Sequence, residues 1–212
     1  MAYEVVFTAQ DFVEGIKALP FTLKGSLYKN AFPQNCLFYQ GNGVYSADCW
    51  NMIKAFIWGK GVLPKNKGGY WFNPGKYGLG DWNGKQILNA CSDVSANFSD
   101  ITPGEYLLTE AEDHAGIYVG DFISPNSGLV YNVIECTPIW ANGIQATYVD
   151  TKGRRCQVKN GEQKGSWKWH GKLPWVNYKK NTQKPTQIIL KDQKMVIKEQ
   201  SDKRIVIELQ ES

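Results

Sequence analysis

The sequence is poor in the residues that build metal sites and disulfide frameworks. Its 212 residues include two histidines, far apart in sequence, and five cysteines with no Cys-x-x-Cys spacing. An odd number of cysteines without short paired spacings argues against a disulfide framework and against a zinc site. We therefore expect at least one free thiol.

Long apolar runs and dense charge are also missing. No apolar run reaches the length of a membrane span, and the N-terminus carries Glu4 and lacks the apolar stretch of a signal peptide. The net charge is +4, and no block of Lys and Arg is dense enough for a nucleic-acid interface, although weak attraction to an anionic polymer such as a cell wall is compatible. We expect a cytoplasmic product with neither a nucleic-acid nor a membrane partner.

Glycine and aromatic residues are plentiful. The chain has 21 Gly and eight Trp, while its 42% hydrophobic and 21% charged residues are ordinary for a globular protein. Trp beside loops either lines clefts that bind sugars or peptides or packs in the core, and both interpretations stay open. The aromatic candidates for a substrate cleft are Tyr45, Trp71, Trp82 and Trp140.

The first half of the chain predicts helices separated by irregular segments. Thr8 caps a first helix, whose apolar stripe ends at Leu19 and which Pro20 terminates. The region 21–40 is irregular, and we expect it to supply one wall of a cleft. The Gly-, Asn- and Trp-rich region 63–84 predicts a long, substrate-facing loop. Two short helices are predicted next, over 85–90 and 93–98.

The second half predicts strands. Strand-like runs separated by Gly, Pro, Asn and Asp cover 104–109, 114–120, 129–137 and 144–150, and a closing strand and turn cover 167–178. Helices followed by strands indicate an α+β fold, with N-terminal helices packed on a central antiparallel sheet. We expect a domain over 1–178, a polar linker over 179–185 and a small β-rich appendage over 186–212. The appendage is too small to be stable without docking or pairing with another copy.

The most informative stretch is the start of the helix that follows the turn-forming residues 40–43. Asp48 is a good N-cap residue, because its carboxylate can accept from the free amides of the first turn, and it places Cys49 at the first helical position. There the helix dipole favours the thiolate, the reactive form of cysteine. Ile53 and Phe56 share the stripe of Cys49 at helical spacing, so we expect the sulfur to face the floor of a cleft. The alternative is a small buried hydrophobic residue.

A base and an orienting carboxylate follow on two consecutive predicted strands. His114 opens one strand and Glu135 lies near the end of the next. Pairing Val119 with Val130 in an antiparallel hairpin puts His114 directly opposite Glu135, with both side chains on one face. Together with Cys49 they make a nucleophile, a base and an orienting group, the generalised triad of acyl transfer. The backbone amides at the start of the cysteine helix would then form the oxyanion hole.

Each of these residues also has a structural interpretation. His114 alone is interpreted as a hydrogen-bonding structural histidine and Glu135 as a solvated strand charge, but their combination with Cys49 favours catalysis. His170, on a Trp-rich closing segment, is interpreted as structural. Asp113 is interpreted as a strand-entry residue on the face opposite to His114.

The chain from Cys36 to Tyr178 resembles the NlpC-type cell-wall cysteine peptidases, which are papain-like hydrolases of bacterial wall remodelling and of phage endolysins. Four segments carry the resemblance. They are the Tyr-rich approach 38–41, the Asp48-Cys49-Trp50 step into a helix, the Pro103-Gly104-Glu105 strand entry and the strand 113–120, which contains His114 and is the most specific of the four.

The resemblance implies a papain-like fold and hydrolysis of an amide bond in the peptidoglycan stem peptide, most typically the γ-D-glutamyl link to the diamino acid. It implies Cys49 as the nucleophile, His114 as the base and Glu135 as the third polar member, with no metal or organic cofactor. Tyr39 would hydrogen-bond near the nucleophile. The other supporting residues are Asp48 and Trp50. The partner would be bacterial peptidoglycan, reached after release of a phage lysin through a holin, although a cytoplasmic recycling peptidase or a virion-borne enzyme also fits.

Two departures from the pattern leave other interpretations open. Trp50 and Asn51 replace the small residues usual after the cysteine, and Glu135 stands where His or another polar group is common. A glutamate there points to the neighbouring CHAP amidase and endopeptidase group. From other classes, a non-catalytic wall-binding or virion structural module and an acyltransferase of the same broad fold remain alternatives.

Overall fold

The computed structural model of the chain describes residues 2–22, 25–28, 37–63, 65–66, 68, 70–179, 186–190, 193–199 and 205–211. The chain divides into two compact units, Met1–Tyr178 and Lys179–Ser212. Residues 180–185 of the predicted linker lie outside the described residues.

Three helices and many short strands make up the described part of the chain. The helices are α1 (Ala9–Thr22), α2 (Cys49–Trp58) and α3 (Gly84–Ala90). The strands of the first unit are β1 (Phe7–Thr8), β2 (Gly25–Tyr28), β3 (Leu37–Gly41), β4 (Val44–Ala47), β5 (Tyr70–Trp71), β6 (Ser92–Ser95), β7 (Tyr106–Thr109), β8 (Ala115–Ile123), β9 (Val130–Thr137), β10 (Gly143–Val149), β11 (Arg154–Cys156), β12 (Gln163–Lys172) and β13 (Val176–Asn177). The strands of the second unit are β14 (Thr186–Leu190), β15 (Gln193–Glu199) and β16 (Ile205–Glu211).

A seven-stranded antiparallel sheet dominates the first unit. Its strand order is β11-β10-β9-β8-β7-β12-β6, and an additional pairing of β11 with β12 joins the two sides of the sheet. A second sheet has the order β2-β4-β3-β5, and β1 pairs with β13 in parallel. The predicted α+β class with an antiparallel sheet is confirmed.

The two faces of the large sheet carry different clusters of buried side chains. Helices α1 and α2 contact strands β8 and β9, and their apolar stripes form the main core with residues such as Ile117, Ile134 and Cys136. The opposite face holds a smaller cluster that includes Val133 and Trp167. Since neighbouring residues of a strand point to opposite faces, β8 and β9 contribute alternately to both clusters. The candidate site lies at the start of β8, where Ala115 belongs to the main core and the preceding residue, His114, lines a cavity.

The first helix begins as predicted and ends later. Thr8 Oγ1 accepts from the backbone amide of Asp11 at 3.1 Å, which confirms the predicted cap. The prediction that Pro20 ends the helix is wrong, because α1 continues through Pro20 to Thr22. A proline near the end of a helix removes a single donor from the hydrogen-bond ladder, and only about one turn remains to be disturbed.

Two other predictions about the first half are wrong where strands form by long-range pairing. The region 21–40 contains β2 and the start of β3, whose partners are β4 and β5; residues 29–36 lie outside the described residues. The prediction of a helix over 93–98 is wrong, because residues 93–95 belong to strand β6, which pairs with β12 through Ser95 and His170, and residues 96–98 are not helical. The helix predicted over 85–90 is confirmed as α3. The loop predicted over 63–84 contains β5 and one 3-10 turn, Lys76–Gly78.

The register of the β8–β9 hairpin differs from the predicted one. Gly116 pairs with Glu135, and after an irregularity beyond Tyr118 the strand resumes with Ile123 opposite Val130. The predicted pairing of Val119 with Val130 is therefore wrong. Gly120 has a φ of +76° in the irregular segment, a backbone conformation that glycine adopts readily. The alternation of apolar and polar residues does not reveal that β8 has additional residues between Tyr118 and Phe122.

The second unit is described by its backbone. Strands β14, β15 and β16 form an antiparallel three-stranded sheet in sequence order, with Ile188 opposite Met195 and Ile197 opposite Ile207. The part of the chain that is described contains no helix that is both long enough and apolar enough to cross a bilayer.

His170 connects the large sheet to the loop that precedes β7. Its Nδ1 lies 2.5 Å from Glu105 Oε2, and its Nε2 lies 3.0 Å from the backbone oxygen of Asn97. Burial by itself lowers the pKa of His170, but the hydrogen bonds to Glu105 and Asn97 outweigh it and raise the pKa above the usual 6.5. Both ring nitrogens are therefore used in structural hydrogen bonds.

The raised pKa of His170 makes stability depend on pH. The protonated ring stabilises the folded state fully below the unfolded pKa of 6.5, and this contribution is lost as the pH rises through the higher folded pKa. We expect the free energy of unfolding, from urea denaturation at several pH values, to fall between pH 6.5 and 9 more steeply in the wild type than in His170→Gln. Equal pH dependence in both proteins would contradict this assignment.

Candidate active site

The start of α2 has the capping geometry that its sequence predicts. Asp48 has extended backbone angles, and its Oδ1 accepts from the backbone amide of Asn51 at 2.8 Å, while its Oδ2 accepts from the side-chain amide of Asn51 at 2.8 Å. Cys49 is consequently the first helical residue. This local arrangement confirms the predicted N-cap, because a carboxylate satisfies amides that the helix itself leaves free.

The thiol of Cys49 is buried and neutral in this structure. Burial and the nearby carboxylate of Asp48 raise the pKa of Cys49 to about 12, although the backbone amides of Ala115, Trp50 and Cys49 act on the sulfur in the opposite direction. The expectation of a thiolate favoured by the helix dipole is therefore wrong for the resting protein, since desolvation of the charged form outweighs the field of the helix end. Three amides nevertheless surround the sulfur and can stabilise negative charge there.

His114 and Glu135 are brought together, as the sequence predicts. His114 Nε2 donates a hydrogen bond to Glu135 Oε2. With Gly116 opposite Glu135, the extended register places His114 level with Thr137, so the pair meets on the diagonal instead of directly across the hairpin. Burial raises the pKa of Glu135, but His114 and Arg155 outweigh it and lower that pKa below its usual value. The carboxylate is ionised and fixes the orientation of the imidazole.

Arg155 is a member of the site that the sequence did not single out. Its Nε contacts both oxygens of Glu135, at 3.1 and 2.9 Å, and its Nη2 lies 2.5 Å from Glu135 Oε2 and 2.9 Å from Thr137 Oγ1. The hydroxyl of Thr147 donates to Glu135 Oε1 at 2.5 Å. The sequence does offer one reason to expect such a residue: a carboxylate in a buried strand needs a positively charged partner.

Two tryptophans hold the Arg155 guanidinium. Its central carbon lies 5.2 Å from the centre of the Trp140 ring and 5.6 Å from the centre of the Trp167 ring. The His114 ring stacks on Trp167, with centroids 5.4 Å apart and an interplanar angle of 26°. Stacking and cation–π contact with Trp167 therefore restrict both the imidazole and the guanidinium, and each of the two also contacts Glu135.

Cys49 and His114 lie on two sides of the first residue of β8. Ala115 packs with Cys49 in the main core, whereas His114, one residue earlier, lines a cavity on the other side of the strand. Among the described residues no hydrogen bond joins the thiol to the imidazole, and Nδ1 of His114 has no hydrogen-bond partner there either. Within the described part of the chain, Cys49 is therefore linked to His114 only through the amide of the next residue, Ala115, and not by a hydrogen bond.

A cavity of about 670 Å³ opens beside His114. Its lining includes His114, Thr137, Arg155, Lys164, Trp167 and Lys168. Cys49 has an exposed fraction of 0% and does not line it, so the expectation that the sulfur faces the floor of a cleft is wrong. No described residue of the loop over 63–84 lines this cavity, so the substrate-facing role expected of the loop remains a prediction.

The supporting residues have contacts different from those expected. The hydroxyl of Tyr39 accepts from the backbone amide of Gly43 at 3.0 Å, within the turn between β3 and β4. Its ring stacks on Tyr45, with centroids 4.7 Å apart, and Tyr45 is itself buried. The hydrogen bond expected from Tyr39 near the nucleophile stays a prediction. Trp50 is half-buried and packs against the main core, and it supplies one of the amides near the sulfur.

The Trp candidates for the cleft are dispersed. Trp82 packs against Tyr3 and Trp175, with ring centroids 6.2 and 5.9 Å away, so its contacts are with the core. Trp140 donates from Nε1 to Glu162 Oε2 at 2.8 Å and contacts Arg155, so it lies at the edge of the candidate site. Trp71 belongs to β5, and its side chain lies outside the described part.

Within the described ranges, no group of three His, Cys, Asp or Glu side chains is arranged to hold a metal ion. Comparisons of the chain with models of protein families, with curated proteins and with solved structures found no significant match.

The high pKa of Cys49 predicts slow alkylation with a steep pH dependence. Only the thiolate reacts, and with a pKa of about 12 its fraction grows roughly tenfold per pH unit below that value. We expect the rate at which iodoacetamide modifies Cys49, followed by peptide mass spectrometry, to rise steadily from pH 7 to 9. A rate that is already constant over this range would mean that the resting thiol is ionised.

The Glu135–Arg155 pair predicts a strong effect on stability. Glu135→Gln leaves the Arg155 charge buried without its counterion, and breaking a buried ion pair in this way costs about 3–5 kcal/mol of unfolding free energy. The double variant Glu135→Gln, Arg155→Met removes both charges and should recover part of this loss in urea denaturation. Unchanged stability of Glu135→Gln would contradict the description of the pair.

Proposed function

We propose that the protein is a cysteine hydrolase of bacterial peptidoglycan that cleaves an amide bond of the stem peptide through an acyl-enzyme intermediate. The observation that carries the proposal is the contact between the ionised Glu135 carboxylate and Nε2 of His114, next to the buried thiol. The residue after His114 is Ala115, whose backbone amide contacts the Cys49 sulfur. A thiol at a helix start, an imidazole and a buried carboxylate are the parts that acyl transfer requires.

The first chemical step is transfer of the Cys49 proton to His114. Glu135 occupies Nε2, so Nδ1 is the nitrogen that is free to act as a base. Catalytic hydrogen bonds are commonly long in an unoccupied site and tighten when substrate binds. Substrate binding closes the gap around the start of β8, and Nδ1 takes the proton as the sulfur attacks the carbonyl carbon.

Charge is stabilised at both ends of this transfer. The Glu135 carboxylate stabilises the imidazolium that forms at His114, and Arg155 keeps that carboxylate ionised and in place. The backbone amides at the start of α2 donate hydrogen bonds to the developing oxyanion. The imidazolium returns its proton to the leaving amine as the C–N bond breaks. Water then hydrolyses the thioester, with His114 again acting as the base.

The substrate class comes from the resemblance of the 113–120 strand and the Asp48-Cys49-Trp50 step to NlpC-type peptidases. We infer a papain-like arrangement, in which a cysteine helix packs on an antiparallel sheet that carries the base, and α2 packed on β8 and β9 supports it. The chain would act as an endolysin after release to the wall, with peptidoglycan as its partner.

The proposal predicts loss of activity from two single substitutions. Cys49→Ser and His114→Asn should each reduce the release of free amino groups from purified walls by about a thousandfold or more, because the nucleophile or the base is missing. The matched control Cys91→Ser changes a half-buried thiol whose hydrogen bond goes to Ile87 O, and it should keep wild-type activity. Mass spectrometry of the released fragments names the bond that is cut. Full release of amino groups by Cys49→Ser would refute the mechanism.

Two observations favour other candidates. Complete burial of Cys49 favours a non-catalytic wall-binding or virion module, which would sediment with walls, release no amino groups and bind equally well as His114→Asn. The glutamate in the third position favours a CHAP-type amidase, for which the fragments would carry a new N-terminal L-alanine released from the glycan. The fragment masses distinguish these outcomes from endopeptidase cleavage.

A further inference from the structure

Arg155 has more hydrogen-bonding capacity than Glu135 uses. Its Nε and Nη2 donate to Glu135 and Thr137, but within the described part of the chain Nη1 donates to no acceptor. Arg155 also lines the cavity beside His114. A guanidinium presents five N–H donors in a fixed planar geometry, so one edge can hold Glu135 while the remaining terminal nitrogen faces another acceptor.

The walls of the same cavity add positive charge. Lys164 and Lys168 line it, and each pairs with an exposed glutamate, Glu162 at 3.3 Å and Glu110 at 3.2 Å. Both pairs are largely exposed, so each contributes little and leaves its ammonium group free to turn toward a ligand. Glu110 and Asp113 also line the cavity, and Asp113 accepts a hydrogen bond from Thr109 Oγ1. The lysines are thus partly balanced by the rim carboxylates and Arg155 by Glu135, while Arg155 Nη1 keeps donor capacity that Glu135 does not use.

Trp167 forms part of the same cavity wall. Trp167 is 2% exposed and lines the cavity, yet its indole Nε1 has no hydrogen-bond partner. A buried N–H without an acceptor is costly, but this one is closed to solvent and is not itself a contact for a ligand in the cavity. Trp167 contacts both His114 and Arg155, so it restrains the two side chains at the cavity wall.

We infer that this cavity is a carboxylate subsite, in which Arg155 Nη1, with Lys164 and Lys168 at the rim, binds a carboxylate of the substrate next to the scissile amide. The inference rests on the proposed function and deepens it. Stem peptides carry a free α-carboxylate on the γ-linked D-glutamyl residue in some walls and a carboxamide in others. A carboxylate accepts from a guanidinium with charge assistance, whereas a carboxamide adds N–H groups that would face Arg155. The site therefore selects the unamidated stem peptide.

Binding can be measured without turnover in the full-length Cys49→Ser protein. The probes are N-acetyl-L-alanyl-γ-D-glutamyl-L-lysine and the same peptide with a carboxamide in place of the D-glutamyl α-carboxylate, titrated by NMR or calorimetry. We expect the carboxylate peptide to have a Kd about tenfold or more lower, the effect of one hydrogen bond to a charged group. The difference should shrink as salt screens the charges at the cavity rim. Equal Kd values, or no measurable binding of either peptide, would overturn the subsite.

Two variants assign the preference to Arg155. Arg155→Lys keeps the charge but removes the planar fork, and the preference should fall below about threefold. Lys159→Gln removes an exposed charge that pairs with Asp121 and lies outside the cavity, so it should keep the wild-type preference. A preference retained in Arg155→Lys, or lost in Lys159→Gln, would contradict the assignment. If the wild type releases no amino groups from walls, the hydrolase proposal fails while a measured carboxylate preference stands. If hydrolysis occurs without discrimination, only the subsite fails.

Discussion

The buried carboxylate of Glu135 is the constraint on which the candidate site depends. It lies on β9 and contacts His114 just before β8, Thr147 on β10 and Arg155 on β11, so one anion connects four neighbouring segments of the sheet. An ionised carboxylate in an apolar interior is tolerated only when its charge and its lone pairs are satisfied. The positions of the imidazole and the guanidinium are therefore consequences of compensating this one charge.

The contacts of Glu135 also determine where the base lies relative to the thiol. Glu135 holds the His114 ring by Nε2 on the cavity side of the sheet, while Asp48 and α2 hold the Cys49 thiol in the core on the other side of Ala115. Burial keeps the thiol protonated, so the resting protein is protected from the non-specific chemistry of a thiolate. Under the proposed function, occupation of the cavity beside His114 would bring base and nucleophile together and would couple reactivity to the presence of substrate.

The parts of this arrangement that are local in sequence could be predicted. The N-cap Asp48, the first helical position of Cys49 and the proximity of His114 and Glu135 on one face follow from spacing and alternation, although the pair is diagonal and not directly opposite as predicted. The contacts that depend on distant segments of the chain could not be predicted. Residues 93–98 were predicted to be helical, yet β6 forms because β12 offers a partner edge about 75 positions later, and Arg155 follows a turn as one of two adjacent arginines with no local sign that it is buried. The burial that raises the pKa of Cys49 likewise comes from packing across the whole first unit.

The central claim is that Cys49 forms a covalent bond to the acyl group of a stem peptide with His114 as its base. A γ-D-glutamyl peptide that carries an acyloxymethyl ketone in place of the scissile amide tests it directly, because the ketone alkylates a thiolate that forms at the reacting centre. Intact-mass and peptide mass spectrometry should find one adduct, on Cys49, in the wild type and none in His114→Asn. An adduct on another cysteine, or equal labelling of Cys49 in His114→Asn, would contradict the account.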